Sequence, residues 1–578
     1  MLVLLPMERT AGMRKEPSGI HKQKFDFVEK PDEIEAIRAG PALGMALMES
    51  LDIPDLIDSL TVWDRSQRVL SPGKAAKAIC GTMFTENIRR ALNNIEGFYG
   101  YSPVDSLFGE YADHSSLNDV SLGRAMDTLY KADTKLLYYN IASRVKAMCH
   151  FVSKYYHFDG TNVTVTRSPG DPLDDFAAVP AFGHPKDGRK DRMQYNIQSI
   201  VDDNGLPVYQ RLHSGNVTDA KMDLDALITV EDVMADERIV AVADCKFVTK
   251  DMVDRLIWDN VPFVSKCPEN FGGKVREKVV RKAYEGTFEY VGRIGKRKDA
   301  PEYEIFDTSE TVNGERLRFV AYREVGQKHS LDYYRNKVSK DVDKIIKSLS
   351  NRKFACEKDA RKEIARVRKK MKGKPYHLDF ATECMMVMPK RSRKGRPVKG
   401  EPSPEPVEEW RVRAAKSFDE SLAIEMARLR DIRVIVTSLP SSAETCEIVS
   451  DGCTAADVLR IYLNQWKVES IFGEMKSKLG ADEVFFESPK REESMVFLIS
   501  LAVLIRRVMQ LLLRAQYGKG YGVRKDVTAN SVFCSLQNTQ VRMDRKKGRL
   551  YLDGPQEEER AMRAYLNILD IDPVELIG

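Results

Sequence analysis

Three carboxylates and one run of helix carry the residue types that could do chemistry in this 578-residue chain. Asp159 lies in Tyr156-His157-Phe158-Asp159-Gly160-Thr161, whose β-branched continuation reads as a strand. Gly160 there lets a metal or phosphate approach without a bulky neighbour, although Asp-Gly taken alone reads first as a turn. Asp244 closes the apolar run Ile239-Val240-Ala241-Val242-Ala243. The C-terminal end of a buried strand is where α/β sheets place ligands, and a helix cap after a strand looks the same. Glu469 belongs to residues 461–476. Read as one continuous helix at ~100° per residue, this run puts Tyr462 and Lys476 each ~20° from Glu469, and Gln465 ~40° away. Ile461, Val468, Phe472 and Leu479 flank that stripe on one side and Trp466 on the other. An acid, a phenol, an amide and an ammonium against apolar neighbours point to a binding face more than to a solvated one.

Separated carboxylates on two strands and a helix suit two-metal phosphoryl transfer. Hard Mg²⁺ prefers oxygen ligands, and two ions ~4 Å apart can serve both the attacking and the leaving oxygen. Lys476 can hold a phosphate as a point charge, while Tyr462 and Gln465 hydrogen-bond the backbone. No Gly-rich nucleotide signature is present, so the phosphodiester reads as polymeric.

The elements that must position these groups form several units, since 578 residues exceed one core. Hydrophobic residues at 43% and charged residues at 31% indicate an ordinary globular chain. The longest apolar run, residues 495–504, is short of the ~18 that a membrane span needs. Residues 1–6 lack a basic leader, so no signal peptide is expected. Nine cysteines without a C-x-x-C pair argue for a reducing cytoplasm, against a zinc site or disulfide framework.

Residues 1–24 read as a flexible lead-in and residues 25–149 as an all-α domain. There Ile34, Ile37, Leu43, Leu47 and Leu51 fall at helical spacing, and Leu70-Ser71-Pro72-Gly73 opens a further helix. Residues 150–267 read as α/β, with strands at 155–165, 194–202 and 206–213, the last two joined by the hairpin turn Asp203-Asn204-Gly205. A helix at 223–235, a strand at 238–243, a helix at 249–259 and a strand at 261–266 follow. Residues 268–430 form an insertion, β-rich at 287–322, helical and basic at 330–372, with a Pro/Gly/basic loop at 389–406. A strand at 433–438 and long helices at 455–479 and 491–514 restore the core through residue 515, and the tail 516–578 is ambiguous. The fold class is α/β: a mixed-sheet core interrupted by a β-rich and helical insertion.

Net charge is +5, but residues 351–400 hold 17 Lys/Arg against 5 Asp/Glu, a local +12 that leaves about −7 for the other 528. Such a segment fits a polyanion, nucleic acid first, or simply a solvated face. Lys390, Arg391, Arg393, Lys394 and Arg396 are its candidate phosphate contacts.

These residues resemble the bacterial and archaeal insertion-sequence DDE transposases that carry a Tyr-Arg-Glu-Lys helix signature. The resemblance rests on ordered blocks: His157-Phe158-Asp159-Gly160-Thr161, Gly183-His184-Pro185-Lys186-Asp187-Gly188-Arg189 with Gln194, Asp203-Asn204-Gly205-Leu206-Pro207, and Gly215-Asn216 with Asp219. Val242-Ala243-Asp244 and the helix from Tyr462 to Lys476 complete it. It implies an RNase H-like core in which Asp159, Asp244 and Glu469 bind two Mg²⁺ ions, with Mn²⁺ as a substitute. It also implies cleavage of double-stranded DNA at terminal inverted repeats and joining to target DNA. The enzyme would be a homodimer in that complex, cytoplasmic and at the nucleoid when bound, with no membrane partner, and residues 25–149 would bind the DNA end. Gln465 stands where the family usually has arginine; an amide keeps a hydrogen bond but loses charge and bidentate geometry. Two other readings keep the fold: an inactive DNA-binding relic or regulator, and a nuclease without strand transfer.

Overall fold

The computed structural model describes residues 34–66, 69–86, 91–165, 178–183, 188, 191–233, 239–295, 299–326, 331–388, 405–441, 453–481, 486 and 488–577. The lead-in, residues 184–187 and 189 of the Gly-His-Pro block, and the five basic residues from Lys390 to Arg396 lie outside them. The fold is the mixed α/β class that the sequence implies, and the chain divides into two compact units, residues 1–235 with 466–578 and residues 236–465. In chain order the strands are β1 (Ile34–Arg38), β2 (Tyr155–Val165), β3 (Met193–Asp202), β4 (Pro207–Ser214), β5 (Val240–Ala243), β6 (Phe263–Lys266) and β7 (Glu289–Arg293). After them come β8 (Glu302–Val312), β9 (Glu315–Glu324), β10 (Tyr376–Val387), β11 (Val407–Phe418), β12 (Arg433–Thr437), β13 (Gln540–Asp544) and β14 (Arg549–Asp553).

In the first unit, helices Ala39–Ser50, Pro72–Gly81, Asp119–Lys131 and Thr134–Met148 pack against the 27-residue helix Pro489–Ala515. That helix is long and apolar enough to cross a membrane, yet most of its apolar stretch is buried inside the unit. Ser71 caps Pro72–Gly81 by accepting from the Lys74 N–H. Gly73 is required beside it, because a Cβ there would come within 2.0 Å of the Pro54 carbonyl oxygen. Arg491 at the start of the long helix pairs with Asp127 at 2.8 Å.

The same unit departs from the sequence reading at both its ends. Ile34 and Ile37 sit in a strand, not a helix: β1 runs antiparallel to β13, with Ile37 opposite Val541. A partner some 500 residues away supplies the ladder, and that pairing overrides the local helical spacing. The tail is ordered too: β13 and β14 form a hairpin with β1 on its edge, and helix Gln556–Leu569 packs on the long helix. The three strands and the β3–β4 hairpin follow expectation, and β2 joins them antiparallel on β3. Buried Asp202 shapes its turn by accepting from the N–H groups of Asn204 (3.0 Å) and Leu206 (2.8 Å), and Gly205 takes a φ of +85°.

In the second unit β5 and β6 are parallel, and β6, β12, β9, β8 and β7 continue antiparallel. Helix Val275–Glu285 packs on β8, β9 and β12. The basic helical stretch is not one helix but two, Ser339–Ser350 and Glu357–Met371. Between them Phe354 leaves the helical path to exchange two 2.9 Å backbone hydrogen bonds with Trp410 on β11. Both helices bury apolar faces, Val342 and Leu349 on one and Ile364 and Val367 on the other, in a core shared with the β10–β11 hairpin.

Several charged side chains are buried in the first unit, one of them well inside the long helix. Arg506, in the middle of the long helix, is 1% exposed. Its Nε donates to Glu474 Oε1 at 2.6 Å, its Nη1 donates to the Met83 carbonyl at 3.0 Å, and its guanidinium lies 4.8 Å from the centre of the Phe533 ring. Arg507 adds a 2.9 Å pair to the other Glu474 oxygen and donates to Ser470 Oγ at 2.8 Å. Removing one partner of a buried pair strands the other charge. Arg506→Ala should therefore destabilise the protein by about 3–5 kcal/mol. Urea unfolding measures this, and a midpoint equal to that of the unaltered protein would show that the cluster holds nothing together.

Candidate functional site

In the first unit, β2 presents Asp159 half-buried between buried neighbours, since Tyr156, His157 and Phe158 are all interior. The Gly160 N–H donates to Asp159 Oδ1 at 2.8 Å. Gly160 has a packing reason beyond the open approach inferred from sequence. A Cβ there would stand 3.1 Å from Gln198 Oε1 and 3.2 Å from the Met222 methyl. The glycine thus admits Gln198 on the neighbouring strand, whose amide donates to buried Asp223 at 2.6 Å. His157 is 1% exposed, and neither ring nitrogen has a hydrogen-bond partner among the described residues. Burial, helped by the Lys467 ammonium, pushes its pKa down to about 3, so the ring stays neutral.

Glu469 and Lys476 belong to the same unit, but the single helix expected for residues 455–479 is broken twice. Helix Ala455–Leu463 ends at Asn464; there the Gln465 N–H bonds back to Tyr462 O, three residues away, at 3.1 Å. A new helix runs Trp466–Gly473 and passes into a π-turn at Glu474–Lys478. Asn favours a helix end over a helix interior because its amide competes for backbone partners. The first break coincides with the division between the two compact units. The angular stripe of Tyr462, Gln465, Glu469 and Lys476 on one helix face therefore does not hold.

Helix Trp466–Gly473 packs on β2 and β3 through buried Val468, Ile471 and Phe472, leaving Glu469 exposed. The Lys476 ammonium donates to the Asn162 carbonyl on β2, three residues beyond Asp159. Lys467 donates to the Asp203 carbonyl in the hairpin turn. Both ends of the segment that carries Glu469 are thus tied to the β2–β4 sheet.

In the second unit, Asp244 follows β5, whose four residues are buried. Its backbone carbonyl accepts from Ser265 Oγ at 2.7 Å, and Oδ1 accepts from the Lys246 N–H at 2.8 Å. The side chain is half-buried and caps a turn. Tyr462 lies within electrostatic reach of it. Burial, followed by the charges of Tyr322 and Asp244, holds the Tyr462 phenol above its ordinary pKa, so it stays a protonated donor. The helix carrying Tyr462 is placed by buried Arg318, which pairs with Asp307 and donates to the carbonyls of Pro440 (2.8 Å) and Cys453 (2.6 Å). Thr454 then opens the helix with a capping box to Asp457.

Asp159 and Glu469 thus come from the first unit and Asp244, Tyr462 and Gln465 from the second. Among the described residues no three His, Cys, Asp or Glu are grouped as a metal site. The donor chemistry nonetheless fits a hard divalent cation. All three carboxylates offer oxygen, none is fully buried, and Glu469 and Asp244 make no ion pair among the described residues.

Sequence reasoning missed a ladder of buried amides beside Asp159. Asn162 Nδ2 donates to Gln194 Oε1 at 3.1 Å. Gln194 Nε2 donates to Asn196 Oδ1 (3.2 Å) and to the Gly215 carbonyl (3.0 Å), and Asn196 Nδ2 donates to the Val217 carbonyl at 2.9 Å. Gly183 and Gly215 let the backbone close on this ladder, because a Cβ on Gly183 would meet Gln194 Nε2 at 2.5 Å and the Gly215 carbonyl at 2.2 Å. Polar residues at alternate positions of an otherwise apolar strand were the available signal. Gln194→Leu would leave several buried groups unpaired, at about 1–3 kcal/mol each. A loss of about 3 kcal/mol or more in urea unfolding is expected; a loss below about 1 kcal/mol would show that the ladder repairs itself.

Two family models match the chain. One, described as a domain of unknown function (DUF4277), covers residues 42–143, within the helical region of the first unit. No curated protein matches the chain significantly. The second is the transposase DDE domain, matched over residues 156–505. That match runs from the start of β2 into the long helix, includes Asp159, Asp244 and Glu469 in order, and spans more than half of the chain, which therefore belongs to the DDE transposase family.

Proposed function

We propose that this protein is the transposase of an insertion sequence, cutting DNA at the element's ends and joining the freed strand to target DNA. What carries the reading is the family match together with three hard-oxygen carboxylates at a strand, a strand end and a helix. In the first step a water oxygen bonds to phosphorus and the P–O3′ bond breaks, freeing a 3′-OH. In the second step that hydroxyl bonds to a target phosphorus and displaces the target's own 3′-oxygen. Asp159, Asp244 and Glu469 would hold two Mg²⁺ ions, which when bound supply activation of the attacking oxygen and charge stabilisation at the leaving one. The protonated Tyr462 phenol and the Gln465 amide donate to the DNA backbone. Lys476 has three N–H donors, so its bond to Asn162 and a phosphate contact are compatible. The partners are the terminal inverted repeats and target duplex, engaged by a homodimer at the nucleoid in the cytoplasm. Lys390, Arg391, Arg393, Lys394 and Arg396 contact backbone phosphates.

The test is incubation with Mg²⁺, a duplex carrying the repeats that flank the gene, and a target plasmid. Unaltered protein should give both cleaved and joined products. Asp159→Ala, Asp244→Ala and Glu469→Ala should each abolish both while DNA binding persists, and cleavage retained by any one of them would sink the triad. Cleavage without joined products would assign a nuclease, and binding with neither product a regulator.

Gln465→Arg restores charge and a bidentate donor beside the phosphate. The cleavage rate in Mg²⁺ should hold or rise in this variant. A large fall would mean that this turn meets DNA in another way.

A further inference from the structure

The helix Glu357–Met371 in the second unit carries a cationic face that folding does not account for. Ala360, Ile364, Val367 and Met371 are its buried side. At ~100° per residue, Lys358, Lys362 and Lys369 fall within an arc of ~40° on the opposite side, and Lys372 follows at the C-cap. All four are exposed, and none makes a hydrogen bond, ion pair or ring contact among the described residues.

The neighbouring charges behave differently. Arg361 pairs with Glu357 at 2.7 Å and Arg366 with Glu363 at 3.2 Å, while Arg368 lies over the Phe380 ring. Every acid on the helix sits ~80° or more from the lysine axis. A face shaped only for solubility mixes signs; this one holds a single sign along ~16 Å of helix. Lys369 complements the negative helix C-terminus, but Lys358 sits in the first turn, where the helix dipole disfavours a cation. The position works against the helix itself, as expected of a charge kept for a partner. Ala365, exposed between Lys362 and Lys369, leaves the face low enough for close approach.

We infer that Lys358, Lys362, Lys369 and Lys372 form a docking face for the sugar–phosphate backbone of duplex DNA, read by charge and not by base sequence. Duplex DNA offers a charge every ~1.7 Å, so an unpaired lysine row of this length meets several phosphates at once. The identity of the polyanion rests on the transposase reading above; the face itself rests on the helix.

The experiment is fluorescence-anisotropy titration of the full chain with duplex DNA of arbitrary sequence across a salt series. Removing one lysine–phosphate pairing should flatten the slope of log affinity against log salt by ~0.9. K358Q/K362Q/K369Q/K372Q should therefore flatten it by ~2–4 and weaken binding at low salt by at least about tenfold. The four-arginine counterpart should keep the slope of the unaltered protein. A milder K358Q/K362Q variant, with an unchanged thermal midpoint, should lose about half as much. A slope equal to the unaltered protein's in both glutamine variants would overturn the inference, as would equal losses in the arginine variant. Failure of the unaltered protein to bind duplex DNA would instead overturn the transposase reading and remove the partner.

Discussion

A single buried guanidinium organises the first unit. Arg506 reaches Met83 in the helical region, Glu474 beside the signature helix and the Phe533 ring in the tail, three segments that are far apart in sequence. Its charge cannot be left in the interior unpaired, so only the arrangement that brings all three partners to it is low in energy. The constraint reaches the candidate site through Glu474, which lies five residues beyond Glu469, and through Arg507, which holds Ser470. A hydrophobic residue at position 506 could fill the same space but would leave Glu474 with Arg507 alone. Losing one partner of a buried pair costs far more than the intact pair adds to net stability.

The sheet that carries Asp159 is polar inside for a related reason. Asn162, Gln194 and Asn196 bury amides that satisfy one another and two loop carbonyls, while His157 stays neutral two residues from Asp159. In a low-dielectric setting a fully satisfied network is stiff, because breaking any bond exposes the cost of the whole desolvated group. The strand is thereby anchored three residues beyond Asp159 without adding a competing charge. Lys476, bonded to the Asn162 carbonyl, brings the cation of the signature segment onto the same strand.

The second unit solves a parallel problem with Arg318. Its guanidinium gathers the carbonyls of Pro440 and Cys453 next to Asp307, and so sets where the helix bearing Tyr462 begins. In the insertion, helix Glu357–Met371 commits its apolar face to the β10–β11 hairpin and leaves its lysines exposed.

Several parts of the protein could be read locally. The alternation of β2, the Asp203-Asn204-Gly205 turn between β3 and β4, the apolar run ending at Asp244 and the Ser71 cap all depend on residues within four positions of one another. Pattern and turn chemistry suffice there because the determining interactions are short-range. The residue types at Asp159, Asp244 and Glu469 and their order likewise stood in the sequence. Other features did not, because their causes are distant. The strand at Ile34–Arg38 exists only because β13 pairs with it, and the tail folds because the long helix and β1 give it partners. The helix through Tyr462 and Glu469 looked continuous by spacing. It breaks at Asn464-Gln465, where the two compact units divide, and no local period records that division. The amide ladder, Arg318 and Arg506 were legible only as polar residues in apolar surroundings. Which groups satisfy them is a matter of tertiary packing, since a buried charge or amide takes whatever partner the fold delivers.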